Sequence, residues 1–248
     1  MTQEPTLNEG AAIVVGVGAE TGLGAALARR FAREGLRVTI AGRTPERLRV
    51  VAEKIAATAG AVSIKPADAT SEADVAALIE EADRDGDLKL VAYNVGNNFA
   101  ASARDTTPEI FERLWRQNAL GGFIVGREAA LRFSERGQGT ILFTGATASL
   151  RARPPFLAFA AAKAALRAVA QGLAREYGAK GVHVAHIIID GVIAGEYAAT
   201  NFAEYARSKG PDGVLAVDDI ADAYWALHCQ KRSAWTHEMD LRPFKEPF

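Results

Sequence analysis

The chain has 248 residues, 49% hydrophobic and 24% charged, which is enough for one large α/β domain with a well-buried core. Its formal net charge of −1 and the lack of a long basic run argue against a nucleic-acid partner. The single cysteine, Cys229, excludes an internal disulfide framework and a multi-Cys metal site, so no metal is expected and a reduced, cytoplasmic setting fits. The polar opening MTQEPTLNEG has no basic start and no apolar signal core. No apolar run reaches the roughly 18 residues of a membrane span, so a soluble protein is expected.

Short β-rich apolar runs alternate with longer alanine-rich helical patterns along the chain. The first strand is expected over 11–17 and a helix over 22–34, then a strand over 36–42 and a helix over 45–59. A strand over 61–67, a helix over 71–84 and a strand over 88–95 follow. A long helical pattern over 107–136 is interrupted near Gly121-Gly122. The remaining elements are strands over 139–145, 182–189 and 237–243, with helices over 156–178 and 218–230. Near-continuous apolar strands separated by helices imply a parallel sheet covered on both faces. The expectation is a single α/β domain over 1–248: a doubly wound, Rossmann-type, seven-stranded parallel sheet, with 1–10 a polar N-terminal extension. The segment 194–213, rich in small, aromatic and charged residues, breaks the rhythm and reads as a substrate lid containing a helix.

Between the first strand and its helix lies Gly16-Val17-Gly18-Ala19-Glu20-Thr21-Gly22-Leu23-Gly24. Glycines there permit a tight turn and close approach of backbone to a pyrophosphate, which then rests on a helix N-terminus. The second strand ends in Gly42-Arg43. An acid at that point would hold the ribose hydroxyl of NAD, whereas an Arg beside a small residue accommodates the 2′-phosphate, so NADP(H) is favoured over NAD(H). Glu20 opposes this if its charge lies close to the phosphate. His183 and His186 stand three apart on a strand and face opposite ways, so they cannot chelate one metal together.

Several motifs, in order, resemble the short-chain dehydrogenase/reductase family over about residues 11–230. Gly18, Gly22 and Gly24 match its Gly-x-x-x-Gly-x-Gly, with Val17 where Thr is usual. Asp68-Ala69 looks like its adenine-binding pair, and Tyr93-Asn94-Val95-Gly96 like its Asn-Asn-Ala-Gly. Asn118 falls at its catalytic Asn, Asp190-Gly191 at its Pro-Gly, and Gly195 at the Thr that holds the nicotinamide amide. The resemblance places a cofactor on Gly18, Glu20, Thr21, Gly22, Leu23, Gly24, Arg43, Asp68, Ala69, Asn94, Gly96, Lys163 and Ile193. The ending RSAWTHEMDLRP departs from the family's Gly-Gly and marks a divergent branch.

The family's Tyr-x-x-x-Lys reads Phe159-Ala160-Ala161-Ala162-Lys163 here. The i,i+4 spacing lets a Lys lower the pKa of a phenol above it on a helix face, and Phe159 keeps the ring but loses the proton. Counting back to the family's Ser gives Ala146. Asn118 and Lys163 remain as the catalytic pair that the resemblance implies, with Lys163 also able to hold ribose hydroxyls. Thr144, Thr147, Asp190 and Tyr197 are open replacements for the lost hydroxyls. Arg151 and Arg153 are either a clamp for a substrate carboxylate or phosphate, or solvated loop charges.

Three functions follow from these residues. The first is an NADP(H)-dependent oxidoreductase acting on a small carbonyl/alcohol pair through an atypical proton relay. The second is a catalytically silent cofactor-binding protein, a sensor or pseudo-enzyme subunit. The third is a non-redox lyase or isomerase. Apolar positions on more than one helix face, such as Ala161, Ala165, Ala168, Val169 and Leu173, point to a homodimer or homotetramer.

Overall fold

Strand β1 (Ala11–Val15) is AAIVV and is buried along its whole length, because alternate side chains are needed on both faces of the sheet. Ala12 and Val14 join a core with Leu27, Phe31, Leu48 and Tyr224, while Ile13 and Val15 join another with Leu78, Phe133, Leu166 and Leu173. These two cores are the two faces of a doubly wound fold. A computed structural model describes residues 10–96 and 98–246. The polar extension expected over 1–10 lies outside them apart from Gly10.

The other strands are β2 (Arg37–Gly42), β3 (Val62–Pro66), β4 (Leu88–Tyr93), β5 (Gly139–Thr144), β6 (Val182–Ile189) and β7 (Glu238–Leu241). All pair in parallel in the order β3-β2-β1-β4-β5-β6-β7, the Rossmann-type sheet read from the sequence. Helices α1 (Leu23–Arg33), α2 (Pro45–Thr58) and α3 (Glu72–Gly86) follow the first three strands. After β4 come α4 (Pro108–Trp115) and α5 (Gly121–Arg136), then α6 (Leu157–Tyr177) after β5. The segment 194–213 holds two short helices, α7 (Glu196–Asn201) and α8 (Ala203–Ser208), where one was expected, and α9 (Val217–His228) precedes β7. The chain leaves β3 and returns to the far side of β1 for β4, so the strand order reverses between β1 and β4. A crevice opens beyond the strand ends at such a point.

The expected break at Gly121-Gly122 is absent. Helix runs without interruption from Pro108 to Arg136, with a π turn over Arg116–Leu120. The glycines serve close packing instead: a Cβ at Gly121 would lie 2.6 Å from the Tyr93 hydroxyl, and one at Gly122 would run into Leu166. Tyr93 Oη donates to the carbonyl of Gln117 at 2.6 Å, inside the π turn where regular helix bonding is disturbed. Burial pushes the Tyr93 phenol well above its ordinary range, so it remains a donor.

Helix Leu157–Lys180 is long and apolar enough to cross a membrane by length and composition alone. This corrects the expectation that no run has that length; its many alanines carry the average. Ala162, Leu166, Ala170 and Leu173 of this helix belong to the buried residues of the molecule, as in a core helix. Of the apolar positions expected on more than one face, Leu173 is buried beside Gly126. Ala168 is exposed, and Ala161, Ala165 and Val169 are half-buried.

Candidate active site

A cavity of about 1490 Å³ lies beyond the C-terminal strand ends. Gly18, Gly22, Leu23, Gly24, Arg43, Asp68, Ala69, Asn94, Gly96, Lys163 and Ile193 line it. Glu20 and Thr21 do not. The Glu20 carboxylate stands 3.7 Å from Lys54 on the outer surface, so its charge is drawn to that ammonium. Thr21 Oγ1 accepts from the N–H of Glu196 at 3.0 Å and thereby ties the glycine turn to the start of α7. Helix α1 begins at Gly22 without a side-chain cap, leaving the first amides for an anion. A Cβ at Gly24 would lie 2.8 Å from the Gly16 carbonyl, so only glycine lets helix and turn meet there. The cradle fits a dinucleotide pyrophosphate.

A chain of hydrogen bonds fixes that turn. Asn94 Nδ2 donates to the Gly16 carbonyl at 3.3 Å, and Asn94 Oδ1 accepts from Thr144 at 3.0 Å. Thr144 has then given its only proton, so the Tyr224 hydroxyl, 2.8 Å away, donates to it. Tyr224 gave no signal in the sequence; only the docking of α9 brings it to β5.

Arg43 is exposed at the cavity edge and forms no ion pair among the described residues. Asp68 lies below the usual carboxylate range, chiefly through hydrogen bonds from Thr70, with Arg43 and Arg116 adding positive potential. Gly195 has φ +143°, and a Cβ there would meet the Thr21 carbonyl at 2.6 Å.

Lys163 is the buried cation of the site, 3% exposed. Its ammonium donates to the carbonyls of Thr144 at 2.9 Å and Val95 at 3.3 Å. Burial pulls its pKa down to about 8, while the two carbonyls favour the charged form. Asn118 lies behind the cavity wall, fully buried, with Nδ2 donating to Leu114 O at 2.9 Å and Oδ1 without a partner among the described residues. A Cβ at Gly96 would lie 3.4 Å from Lys163 Nζ and 4.0 Å from Asn118 Oδ1, so both atoms flank one small space. Phe159 and Ala146 line the cavity, with the Phe159 ring centroid 5.8 Å from Lys163 Nζ.

A family model described as short chain dehydrogenase matches residues 12–210. The chain belongs to the short-chain dehydrogenase family. A short-chain dehydrogenase from Rhodopseudomonas palustris is 39% identical, with a TM-score of 0.80 over 94% of this chain and 99% of that one. An actinorhodin polyketide ketoreductase solved with NADPH gives a TM-score of 0.88 at 20% identity over 99% of this chain and 100% of that one, a likeness of fold alone. A glucose 1-dehydrogenase of Gluconobacter oxydans is 32% identical over 174 residues, 69% of this chain and 65% of that protein. Membership in the short-chain dehydrogenases implies a nicotinamide cofactor and a small-molecule substrate, and such proteins are typically oligomeric.

In this short-chain dehydrogenase, the expected stand-ins for the family's Ser and Tyr are already engaged. Thr144 is committed to Asn94, and Thr147 donates to Asp190. Asp190 is no free acid, since Arg242 lies 2.7 Å and Arg151 3.3 Å from Oδ2. That pairing also removes Arg151 from the open cations of the cavity. Arg153 lines the cavity, exposed and without an ion pair among the described residues. The Tyr197 hydroxyl donates to Asn98, and burial raises its pKa.

Sequence reasoning missed one polar chain altogether. Arg167 holds Glu238 through two bonds of 2.6 and 2.7 Å, and Glu238 stands 3.1 Å from His186 Nδ1. The carboxylate only accepts, so Nδ1 carries the proton and Nε2 accepts from Ser149 at 3.3 Å. Ser149 in turn accepts the Ala146 N–H at 3.1 Å. Burial draws the His186 pKa down to about 4, leaving it neutral near pH 7. Neither Ser149 nor His186 lines the cavity, so the chain braces the Ala146 turn from behind. His183 faces the other way, stacked on Trp235 with centroids 4.9 Å apart.

Proposed function

We propose that the protein is an NADP(H)-dependent oxidoreductase of a small carbonyl/alcohol pair in which Lys163 serves as the acid in place of the missing phenol. The carrying observation is the buried Lys163 ammonium and the Asn118 Oδ1, which has no partner among the described residues, flanking one small space at Gly96. A bound nicotinamide supplies the hydride. Lys163 would pass its proton through water held at Asn118 Oδ1 to the substrate's carbonyl oxygen as the carbon takes the hydride, leaving an alcohol and a neutral amine. In alcohol oxidation the amine would take the hydroxyl proton back by the same path. Gly18, Gly22, Leu23 and Gly24 would hold the pyrophosphate, Asp68 and Ala69 the adenine, and Asn94, Gly96 and Ile193 the nicotinamide side. The segment 194–213 acts as the lid. Absorbance of NADPH in stopped flow against a carbonyl panel tests the reading; no oxidation with any carbonyl would overturn it. The engaged state of Thr144, Thr147 and Asp190 favours a second reading, a cofactor-binding protein without turnover.

Preference for NADP(H) rests on Arg43 at the cavity edge, supported by Glu20 being drawn to Lys54. Calorimetry is expected to show NADP(H) binding about tenfold or more tightly than NAD(H), one charge-assisted contact being worth roughly 1.5–3 kcal/mol. Arg43→Ala should erase most of the difference. Equal affinities in the unaltered protein would sink the idea.

A homodimer or homotetramer is the assembly proposed. Phe111 and Trp115 on α4, Phe123 and Leu131 on α5 and Leu157 on α6 are 39–46% exposed. These add to the outward alanines of α6, an apolar surface that a partner would cover. Light scattering at micromolar concentration should give at least twice the 26.3 kDa chain mass, and a monomer would refute the assembly. The half-buried free Cys229 is in keeping with a reduced, cytoplasmic compartment.

A further inference from the structure

Asp190 is a buried carboxylate that the proposed proton path does not use. It is 4% exposed at the end of β6, and its N–H donates to the Leu241 carbonyl at 2.8 Å, which fixes it against β7. Oδ1 accepts from the Thr147 hydroxyl, Oδ2 accepts from Arg242 at 2.7 Å, and Arg151 approaches the two oxygens at 3.5 and 3.3 Å. Thr147 and Arg151 belong to the turn after β5 that carries Ala146. Arg242 opens the segment 242–246, which runs on to the chain beyond α8. There Lys245 donates to the Pro211 carbonyl at 2.6 Å, and Glu246 pairs with Lys209 at 2.8 Å.

We propose that Asp190 is a positioning residue that locks the substrate end of the cavity, joining the turn after β5 to a strap, 242–246, that holds the lid. Its catalytic consequence rests on the oxidoreductase reading; the lock itself does not. A carboxylate bonded to two guanidiniums keeps Arg151 and Arg242 close together. Without it, Arg151, which is 36% exposed, and Arg242, which also stands 3.0 Å from Asp240 at the end of β7, lose the carboxylate that bridges them, and the segments that carry them separate. Asp190→Asn retains the acceptor oxygen for Thr147 but loses the charge that holds the arginines.

Amide hydrogen exchange on the cofactor-free protein tests the lock. Asp190→Ala is expected to raise exchange at least about fivefold in both 147–153 and 203–213 while leaving the glycine turn 16–24 unchanged. Arg242→Ala should loosen 203–213 and leave 147–153 protected, because Arg151 still holds Asp190. A rise in only one segment in Asp190→Ala, or a uniform rise across the sheet, would overturn the proposal. If Asp190→Ala does not fold, Asp190→Asn carries the same test, with a smaller rise expected in 147–153 than in 203–213 and no rise at all refuting the lock. With a carbonyl that is turned over, Asp190→Asn should raise its KM about tenfold and leave the NADPH dissociation constant within about threefold. An unchanged KM would refute the positioning role, while an absence of turnover in the unaltered protein bears on the oxidoreductase reading and not on the lock.

Discussion

Phe159→Tyr combined with Ala146→Ser is expected to raise NADPH-dependent carbonyl reduction by up to about 10²–10⁴, the usual contribution of a positioned proton-transfer group. The Phe159 ring already lies on the cavity wall with its centroid 5.8 Å from Lys163 Nζ. A phenol there feels a buried ammonium, which favours the phenolate and brings its pKa toward neutrality. Ala146 also lines the cavity, and its turn is braced by Ser149, so a serine hydroxyl would appear on a fixed backbone. Each single change should give less than the pair, because the serine orients the substrate oxygen that the tyrosine protonates. Rates of NADPH oxidation by all four proteins on one carbonyl panel decide the matter. An unaltered protein as fast as the double variant would show that Lys163 with its water already suffices.

Lys163→Met is expected to lower any reductase activity by about 10²–10⁴. In the unaltered protein kcat/KM for reduction should fall as pH rises through about 8, where the ammonium loses its proton, and the alcohol-oxidation rate should rise over the same interval. Stability supplies a readout that needs no substrate. The folded pKa of Lys163 lies below that of an unfolded lysine, so above about pH 8 the unfolded chain binds more protons and stability increases with pH. The contribution is fully present above the ordinary lysine value near 10.4 and is lost as pH falls through about 8. Thermal unfolding of the unaltered protein and of Lys163→Met from neutral to alkaline pH should diverge in that sense. Parallel curves would show that Lys163 titrates normally and is not the tuned acid.

Local chemistry made much of this protein legible in its sequence. The strand runs alternate their contacts between two faces, as Ile13 and Val14 do, and burial on both faces requires apolar residues throughout. Gly18, Gly22, Gly24 and Arg43 follow from local spacing at strand ends, and Asn94, Phe159 and Lys163 from the resemblance to the short-chain family. All line the crevice, while Asn118, which the resemblance also implied, is buried behind its wall. Gly121-Gly122 misled because glycine signals both a break and a close approach, and only the position of Tyr93 distinguishes the two.

What the sequence by itself determined is therefore the parallel sheet and the glycine turn after its first strand, which depend on strict periodicity or on neighbours within a few residues, while the two missing hydroxyls were legible only through the resemblance to the family. Tertiary structure alone decided which polar groups remain available. Thr144 is occupied by Asn94 and Tyr224, 50 and 80 residues away, and Thr147 by Asp190, 43 away. Asp190 looked like an acid until Arg242 arrived from beyond β7, and Ser149, His186, Glu238 and Arg167 met only when the last strand was laid on the sheet. A side chain's chemistry is set by the charges and hydrogen-bond partners within a few ångströms of it, and folding draws those from the whole length of the chain.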